Sequence, residues 1–160
     1  MSSSKYTRPA IIRALVDYIR EKGALPTVAE TTGLDYNIRG HFVGRSTASD
    51  YLQMAAKHGF SIGTLNTPLI MLDGELGADT FSVYINGKSI KRVEVARGAL
   101  HFDKIILLTH AKGHPIGGFG GAIKNLGIGC VGKYSKAMAH KGEGISVDPE
   151  KCLGIKSVSY

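Results

Sequence analysis

The chain has 160 residues, of which 21 are glycine and 2 are cysteine, and its formal net charge is +7 at pH 7. This length fits one domain with a buried core. No apolar run approaches the roughly 20 residues of a membrane span, and no apolar segment of a signal peptide follows the N-terminus, so we expect a cytoplasmic location. The positive charge favours acidic partners or anionic ligands. No basic stripe interleaved with aromatic residues occurs, which argues against nucleic-acid binding.

The first third of the chain predicts two helices. The first helix is expected to begin at Thr7 as its N-cap and to end at Gly23. Apolar residues recur within it at helical spacing, at Ile12, Leu15, Val16 and Ile19. The second helix is expected between Thr47, which begins a sequence typical of a capping box, and Gly59.

Two short strands are predicted, each followed by a carboxylate. Residues 25–29 precede Glu30, and residues 68–72 precede Asp73. Glu30 would be a ligand or an acid/base group that points into the same crevice as His110, or simply an exposed loop carboxylate. Asp73 precedes a glycine, and Asp-Gly is ordinary turn chemistry, so a turn is expected there.

An antiparallel hairpin is predicted around Asn86 and Gly87. Residues 81–85 and 88–95 alternate in polarity on either side of this pair, which is the strongest short-range hairpin signal. Together with the alternating helices and strands, it predicts an α/β fold. We expect one three-layer domain with a mostly parallel central sheet and an added antiparallel β-hairpin.

The richest stretch for chemistry is residues 110–130, which reads HAKGHPIGGFGGAIKNLGIGC. It follows residues 105–109, which are predicted to form a buried strand. In open α/β sheets, ligands bind where such strands end. Glycine also lets the backbone approach a ligand closely, so the stretch is predicted to line an open pocket.

Three kinds of site fit this stretch. A metal site would use His110, His114 and Cys130, because imidazole and thiolate suit zinc, iron or nickel. An enzyme would use His110 or His114 as the acid/base group, Lys124 to stabilise negative charge and Asn125 to orient the substrate. For Cys130, a buried and unreactive thiol is favoured over a nucleophile.

An anion site is the third alternative. It would use the side chain of Lys112 or Lys124 together with backbone N–H groups of the glycine turn. Those glycines are Gly117, Gly118, Gly120 and Gly121. The stretch contains neither a P-loop nor the third glycine of a dinucleotide fingerprint, so a phosphate or carboxylate ligand is favoured over a nucleotide. A purely structural explanation also stands, in which the glycines allow tight packing and the histidines bond to the backbone.

Residues 110–130 resemble the signature of a family of uncharacterised iron-sulfur centre proteins, built on the domain of unknown function 362. The resemblance extends from Thr7 to Cys152. It implies a fold family and, in relatives, ferredoxin-type cysteines further on. Here Cys152 is followed by Leu153, Gly154 and Ile155 rather than by the next cysteine of the C-x₂-C spacing.

The resemblance therefore implies a chain truncated before its ferredoxin motif. Residues 1–146 would form the α/β domain, and residues 147–160 would be a remnant of a ferredoxin-like segment. An iron-sulfur cluster is expected in the family but not in this chain, since 2 cysteines cannot fill an ordinary four-thiolate shell.

The function predicted from these features is a ligand- or metal-binding core of an iron-sulfur-associated redox or metabolic protein. Its partner would be a small anionic ligand or a metal ion, and a homo-oligomer is left open. The alternative is a non-catalytic binding or assembly module for an acidic partner, or an inactive fragment. Whether the chain is an enzyme is also left open.

Overall fold

The computed structural model of the chain describes residues 6–34, 47–114 and 117–140. These residues form a mixed structure of helices and short strands. In chain order the elements are α1 (Pro9–Glu21), β1 (Val28–Glu30), α2 (Ala48–Lys57), α3 (Ile62–Leu65), β2 (Leu69–Met71), β3 (Thr80–Tyr84), β4 (Arg92–Ala96), a 3-10 helix (Arg97–His101), β5 (Lys112–His114), β6 (Gly118–Gly120), α4 (Ala122–Gly127) and α5 (Lys133–Ala139). No helix among them combines the length and apolar character needed to cross a membrane.

Helix α1 forms as its apolar periodicity predicts, and it buries Val16. Its N-cap is Arg8 rather than the expected Thr7, and no side chain caps it. Pro9 occupies the first helical position, where its fixed φ suits the helix and its missing N–H is not needed. The helix ends at Glu21 with Lys22 as its C-cap, one residue before the expected Gly23, which follows with a left-handed φ of 81°.

Helix α2 begins at the predicted cap. The Thr47 hydroxyl accepts a hydrogen bond from the Asp50 amide at 3.1 Å. Glu75 satisfies two more amides of the first turn, since its carbonyl accepts from Ala48 and its carboxylate accepts from Ser49. The start of α2 is thereby tied to the loop that follows β2.

The parallel sheet consists of β1 and β2 within the described residues. Val28 pairs with Leu69 and Glu30 pairs with Met71. The first strand starts at Val28, later than predicted, because Pro26 cannot donate to a ladder and Leu25 is 92% exposed. A mixed helix-and-strand fold is confirmed, whereas a three-layer domain with a mostly parallel sheet is not.

The prediction of a buried strand at residues 105–109 is wrong. This segment pairs with none of the described strands, and Ile105 and Ile106 are 52% and 61% exposed. An apolar run indicates that burial is favourable, but a strand also needs a neighbouring strand for its backbone hydrogen bonds. Asn125 reaches the segment, but only through its side-chain amide, which donates to Thr109 at 3.0 Å.

The antiparallel pair β3–β4 confirms the predicted hairpin, with Thr80 opposite Ala96 and Tyr84 opposite Arg92. Its connection is longer than a two-residue Asn-Gly turn, because the last bond runs from the Ile85 amide to the Lys91 carbonyl. Glycine is needed at position 87 for space, since a Cβ there would lie 2.4 Å from the Ile90 carbonyl oxygen.

The outer edge of β4 is covered by the chain between α4 and α5. Val131 forms an isolated antiparallel bridge with Val95. The Ala96 amide donates to the Cys130 carbonyl at 3.0 Å, and the Gly132 amide donates to the Glu94 carbonyl at 2.9 Å. These bonds place α5 beside the carboxyl ends of the parallel strands. The buried apolar residues of the described chain are Val16, Ala48, Leu65, Leu72, Ala96 and Val131.

Candidate functional site

The structure brings polar groups together in two places. The strand-end cluster consists of Thr31, Thr32, Asp73 and Lys136. The hairpin cluster consists of His114, Gly117 and Lys124, carried by β5, the turn before β6, and α4. The stretch 110–130 contributes to both of them, because its last two residues reach the strand-end cluster.

Asp73 is the anchor of the strand-end cluster. Its carboxylate is fully buried and accepts hydrogen bonds from the Thr32 amide at 3.0 Å and the Thr32 hydroxyl at 2.8 Å. Gly74 follows with φ 71°, so the predicted Asp-Gly turn is confirmed. The same side chain also fixes the end of β1 to the end of β2.

Lys136 reaches the same place from α5 and is 5% exposed. Its Nζ donates to the Thr31 hydroxyl at 2.8 Å and to the Val131 carbonyl at 2.6 Å, and it lies 3.7 Å from Asp73 Oδ2. Burial lowers the pKa of Lys136 from its usual value, against the opposing pull of Asp73 and Glu30. Two hydrogen bonds and the nearby Asp73 carboxylate therefore compensate the buried ammonium group.

Thr31 links this cluster to the glycine-rich stretch. Its hydroxyl donates to the Gly129 carbonyl at 2.6 Å while it accepts from Lys136. The next residue, Cys130, is half-buried. Burial raises the pKa of the Cys130 thiol, and the nearby Glu30 raises it further, against the opposing charge of Lys136. A protonated thiol is a poor nucleophile and a poor metal ligand.

Two alternatives were open for Glu30, a group in the crevice of His110 or an exposed loop carboxylate. The structure places this exposed residue at the end of β1, where its charge acts on Cys130 and Lys136. Glu30 and Cys130 therefore belong with the strand-end cluster. His110 is exposed and precedes β5.

The hairpin cluster stands on two short strands that were predicted as a glycine loop. Strands β5 and β6 are antiparallel, with Lys112 opposite Gly120 and His114 opposite Gly118. Gly118 has φ 72°, a conformation that glycine adopts without steric cost. Lys112 and His114 are two positions apart on β5, so they lie on the same face of the hairpin.

His114 is held from two sides. The Gly117 amide donates to Nδ1 at 3.0 Å, and the Lys124 ammonium group contacts Nε2. A Cβ on Gly120 would lie 3.6 Å from Lys124 Cδ, so β6 also guides the lysine side chain. Of the predicted site residues, His114, Gly117, Gly120 and Lys124 are therefore brought together.

Asn125 is the neighbour of Lys124 but points elsewhere. Its amide nitrogen donates to the Thr109 hydroxyl at 3.0 Å and lies 3.5 Å from the Leu108 carbonyl. It ties α4 to the extended segment before β5. Its proposed role in orienting a substrate stays a prediction.

The metal assignment to His110, His114 and Cys130 also stays a prediction. Within residues 6–34, 47–114 and 117–140, no three His, Cys, Asp or Glu side chains are grouped as ligands of one ion. An iron-sulfur cluster takes about four thiolates, and the chain has 2 cysteines, so its own residues do not fit such a cluster. Cys152 and the predicted remnant at 147–160 lie outside the described residues.

Thr31, Thr32 and Lys136 were missed by reasoning from the sequence. The two threonines directly follow the Glu30 strand end, which is a signal that could have included them. Lys136 carries no such signal, because it is one of 20 Lys and Arg residues and sits in an ordinary helical stretch.

One comparison with known proteins identifies a relationship. The model of the family described as "Domain of unknown function (DUF362)" matches residues 1–153. No curated protein and no solved structure is significantly similar to the chain. Because the matched residues span nearly all of the 160, the chain belongs to the DUF362 family.

Proposed function

We propose that the protein binds a small anionic ligand, carrying a carboxylate or phosphate group, at the hairpin cluster. The observation that carries this proposal is the contact between Lys124 Nζ and His114 Nε2. Because the Gly117 amide occupies Nδ1 as an acceptor, the proton of the neutral ring is on Nε2. Lys124 and His114 then present two donors side by side, and an oxyanion that displaced their mutual contact would accept from both.

The glycines of the hairpin support access by a ligand. Gly113 has no positive φ, and a Cβ added there would meet nothing within 4 Å. Neither conformation nor crowding within the described residues therefore demands glycine at this position. Close approach of a ligand to the backbone gives a reason for it. Lys112, on the same face of β5, and the net charge of +7 add to the attraction for an anion.

The wider setting is also a proposal. We infer that this ligand site belongs to the α/β core of an iron-sulfur-associated redox or metabolic protein. Its support is the resemblance of residues 110–130 to that family signature, together with the parallel pairing of β1 and β2. The site residues themselves would bind and orient the anion.

The first experiment is calorimetric titration of the full chain with inorganic phosphate and with succinate. Lys124→Met and His114→Ala are expected to weaken binding of the favoured anion by about tenfold or more, since each removes a charge-assisted hydrogen bond. Lys57→Met is the matched control, because Lys57 is an exposed lysine at the end of α2. Saturation at about 100 times the dissociation constant should stabilise the protein by about 2.7 kcal/mol.

A second variant tests the anion site without changing any charge. Gly113→Ala is expected to fold normally, since its Cβ enters open space, and yet to weaken anion binding by steric exclusion. Equal affinities for the natural chain, Lys124→Met and Lys57→Met would show that the hairpin cluster is not the anion site. Absence of any thermal shift with either anion would reject the proposal.

A further inference from the structure

We propose a second binding site, for an organic carboxylate with a short apolar body, in a cleft between the β3–β4 hairpin and α5. The cleft has a volume of about 300 Å³, which is at the small end of ligand sites. We call it the Arg92 cleft. Its walls include Leu76, Ala78, Thr80, Arg92, Lys133 and Tyr134. It shares no residue with the hairpin cluster and does not depend on the proposed function there.

The Arg92 guanidinium is held in place on two sides. Its Nε lies 3.0 Å from Glu94 Oε1, and its central carbon lies 5.2 Å from the centre of the Tyr134 ring. A stacked and bonded guanidinium loses little freedom when it binds a further group. The bond to Glu94 uses Nε, so the two Nη groups remain as a planar fork that matches a carboxylate.

Glu94 is the fixed support of this arrangement. Its carboxylate accepts from the Ser82 hydroxyl at 2.7 Å and from the Thr80 hydroxyl at 3.0 Å. Its backbone amide donates to the Ser135 hydroxyl at 2.7 Å. Because these hydroxyls hold the Glu94 carboxylate in place, its contact with Arg92 Nε also fixes the orientation of the guanidinium. With Lys133 also at the cleft, two cations stand against this one carboxylate, so the mouth attracts an anion.

The floor of the cleft is closely packed and therefore pre-formed. A Cβ on Gly132 would lie 2.4 Å from Thr80 Cγ2, and a Cβ on Gly77 would lie 2.8 Å from Lys133 Cγ. The Lys133 amide donates to the Gly77 carbonyl at 2.9 Å. The loop after β2 is thus pressed against the start of α5, and the cleft needs no rearrangement to accept a ligand.

The walls explain the preference for an apolar body. Leu76 is 67% exposed and Tyr134 is 51% exposed, and both face the cleft together with Ala78. Covering such side chains removes apolar surface from water. A bare inorganic anion would use the guanidinium but leave these walls exposed, whereas a short fatty acid or a peptide C-terminus ending in an apolar residue would use both.

The test is a calorimetric titration of the full chain carrying Lys124→Met, which removes the proposed anion site of the hairpin cluster, with hexanoate, hexanamide and inorganic phosphate. Hexanoate is expected to bind, and the other two are expected to bind at least about tenfold more weakly, because each lacks either the charge or the apolar body. Arg92→Met should weaken hexanoate binding by a similar factor. In the same background, Arg20→Met, at an exposed arginine in the last turn of α1, should leave it unchanged.

Two further measurements distinguish the role of the guanidinium from its charge and identify the source of the carboxylate. Arg92→Lys retains the charge but loses the fork, and it is also expected to weaken binding, so it replaces Arg92→Met if that variant does not fold. A short peptide ending in leucine is compared with its C-terminal amide. Binding of only the free-acid form identifies a peptide terminus as the source, while stronger binding of hexanoate identifies a free acid. Equal binding of hexanoate and hexanamide, or equal effects of Arg92→Lys and Arg20→Met, would overturn the proposal.

Discussion

The strand-end cluster and the hairpin cluster both contain a lysine, but the two lysines differ in burial and in how far away in the sequence their partners lie. Lys136 is 5% exposed and bonds to Thr31, which is 105 positions away in sequence. Lys124 contacts His114, only 10 positions away. Around it, Phe119 and Ile123 are 78% and 92% exposed. Lys136 therefore joins segments that are distant in the sequence, whereas Lys124 contacts a nearby residue in an exposed part of the structure.

The contrast between the two lysines distinguishes a cluster that stabilises the fold from one that solvent can reach. In the strand-end cluster, Lys136 donates to two oxygens and lies beside the Asp73 carboxylate, so its buried charge is compensated. In the hairpin cluster, Lys124 and His114 contact each other on an open part of the structure, where we propose that an added anion accepts from both. A buried lysine is therefore not by itself the better functional candidate, although burial perturbs its pKa.

The largest expected effect is that of Lys136→Met. Removing the ammonium group leaves the Asp73 carboxylate buried without its cation and costs about 3–5 kcal/mol of unfolding free energy. Urea denaturation measures this cost. Lys124→Met is the comparison variant and should change stability by less than about 0.5 kcal/mol, as surface substitutions usually do. Equal denaturation midpoints for the two variants would remove the distinction between the clusters.

The next effect contrasts two glycines that share a left-handed backbone. Gly77→Ala places a Cβ 2.2 Å from the Thr32 hydroxyl oxygen, whereas Gly118→Ala places it in open space. Their φ angles, 74° and 72°, are nearly equal. Gly118→Ala should therefore cost about 1 kcal/mol for conformation alone. Gly77→Ala should cost about 1–3 kcal/mol more for overpacking, and calorimetric melting would show the difference.

A third effect concerns Cys130, measured in a Cys152→Ser background so that one thiol remains. Because burial raises the folded-state pKa of the Cys130 thiol above its usual value, alkylation by iodoacetamide should be slow at neutral pH. It should speed up by about tenfold per pH unit until the pH passes that pKa. The thiol's contribution to stability is complete below the usual pKa of a cysteine thiol and is lost as the pH rises through the raised folded-state pKa.

Glu30→Gln sharpens this measurement. Removing the carboxylate takes away one cause of the raised pKa, so alkylation of the folded protein should become faster at pH 8. The urea-unfolded chain serves as the reference, since both variants should react there at the same rate. A rate in the folded protein that matches the unfolded one would place Cys130 in a different environment.

The smallest expected effect is that of Ile123→Gln on α4. Because Ile123 is 92% exposed, its replacement should change the free energy of unfolding by less than about 0.5 kcal/mol. Val131→Ala, at a residue that is 4% exposed, is the buried counterpart and should cost more than about 1 kcal/mol. A loss above 1 kcal/mol for Ile123→Gln would show that the hairpin region is covered in solution.

Features that depend on contacts between residues close together in the sequence could be predicted, whereas features that depend on distant residues could not. The start of α2 at Thr47 depends on neighbours a few residues away and is as expected, and the C-cap of α1 at Lys22 directly precedes the expected Gly23. The β3–β4 pair is also local. The error at residues 105–109 and the omission of Lys136 have the opposite cause, since both depend on partners far away in the chain. Within the glycine-rich stretch, sequence alone could select His114 and Lys124 but could not show that Cys130 joins another cluster.

The covered edge of β4 has a consequence for self-assembly. Residues 130–132 already use the backbone groups of Glu94 and Ala96. A foreign strand that sought to extend this ribbon would find that side taken. Any templated growth of the ribbon would have to proceed along β3, so a single lysine or proline placed on β3 should be enough to block it.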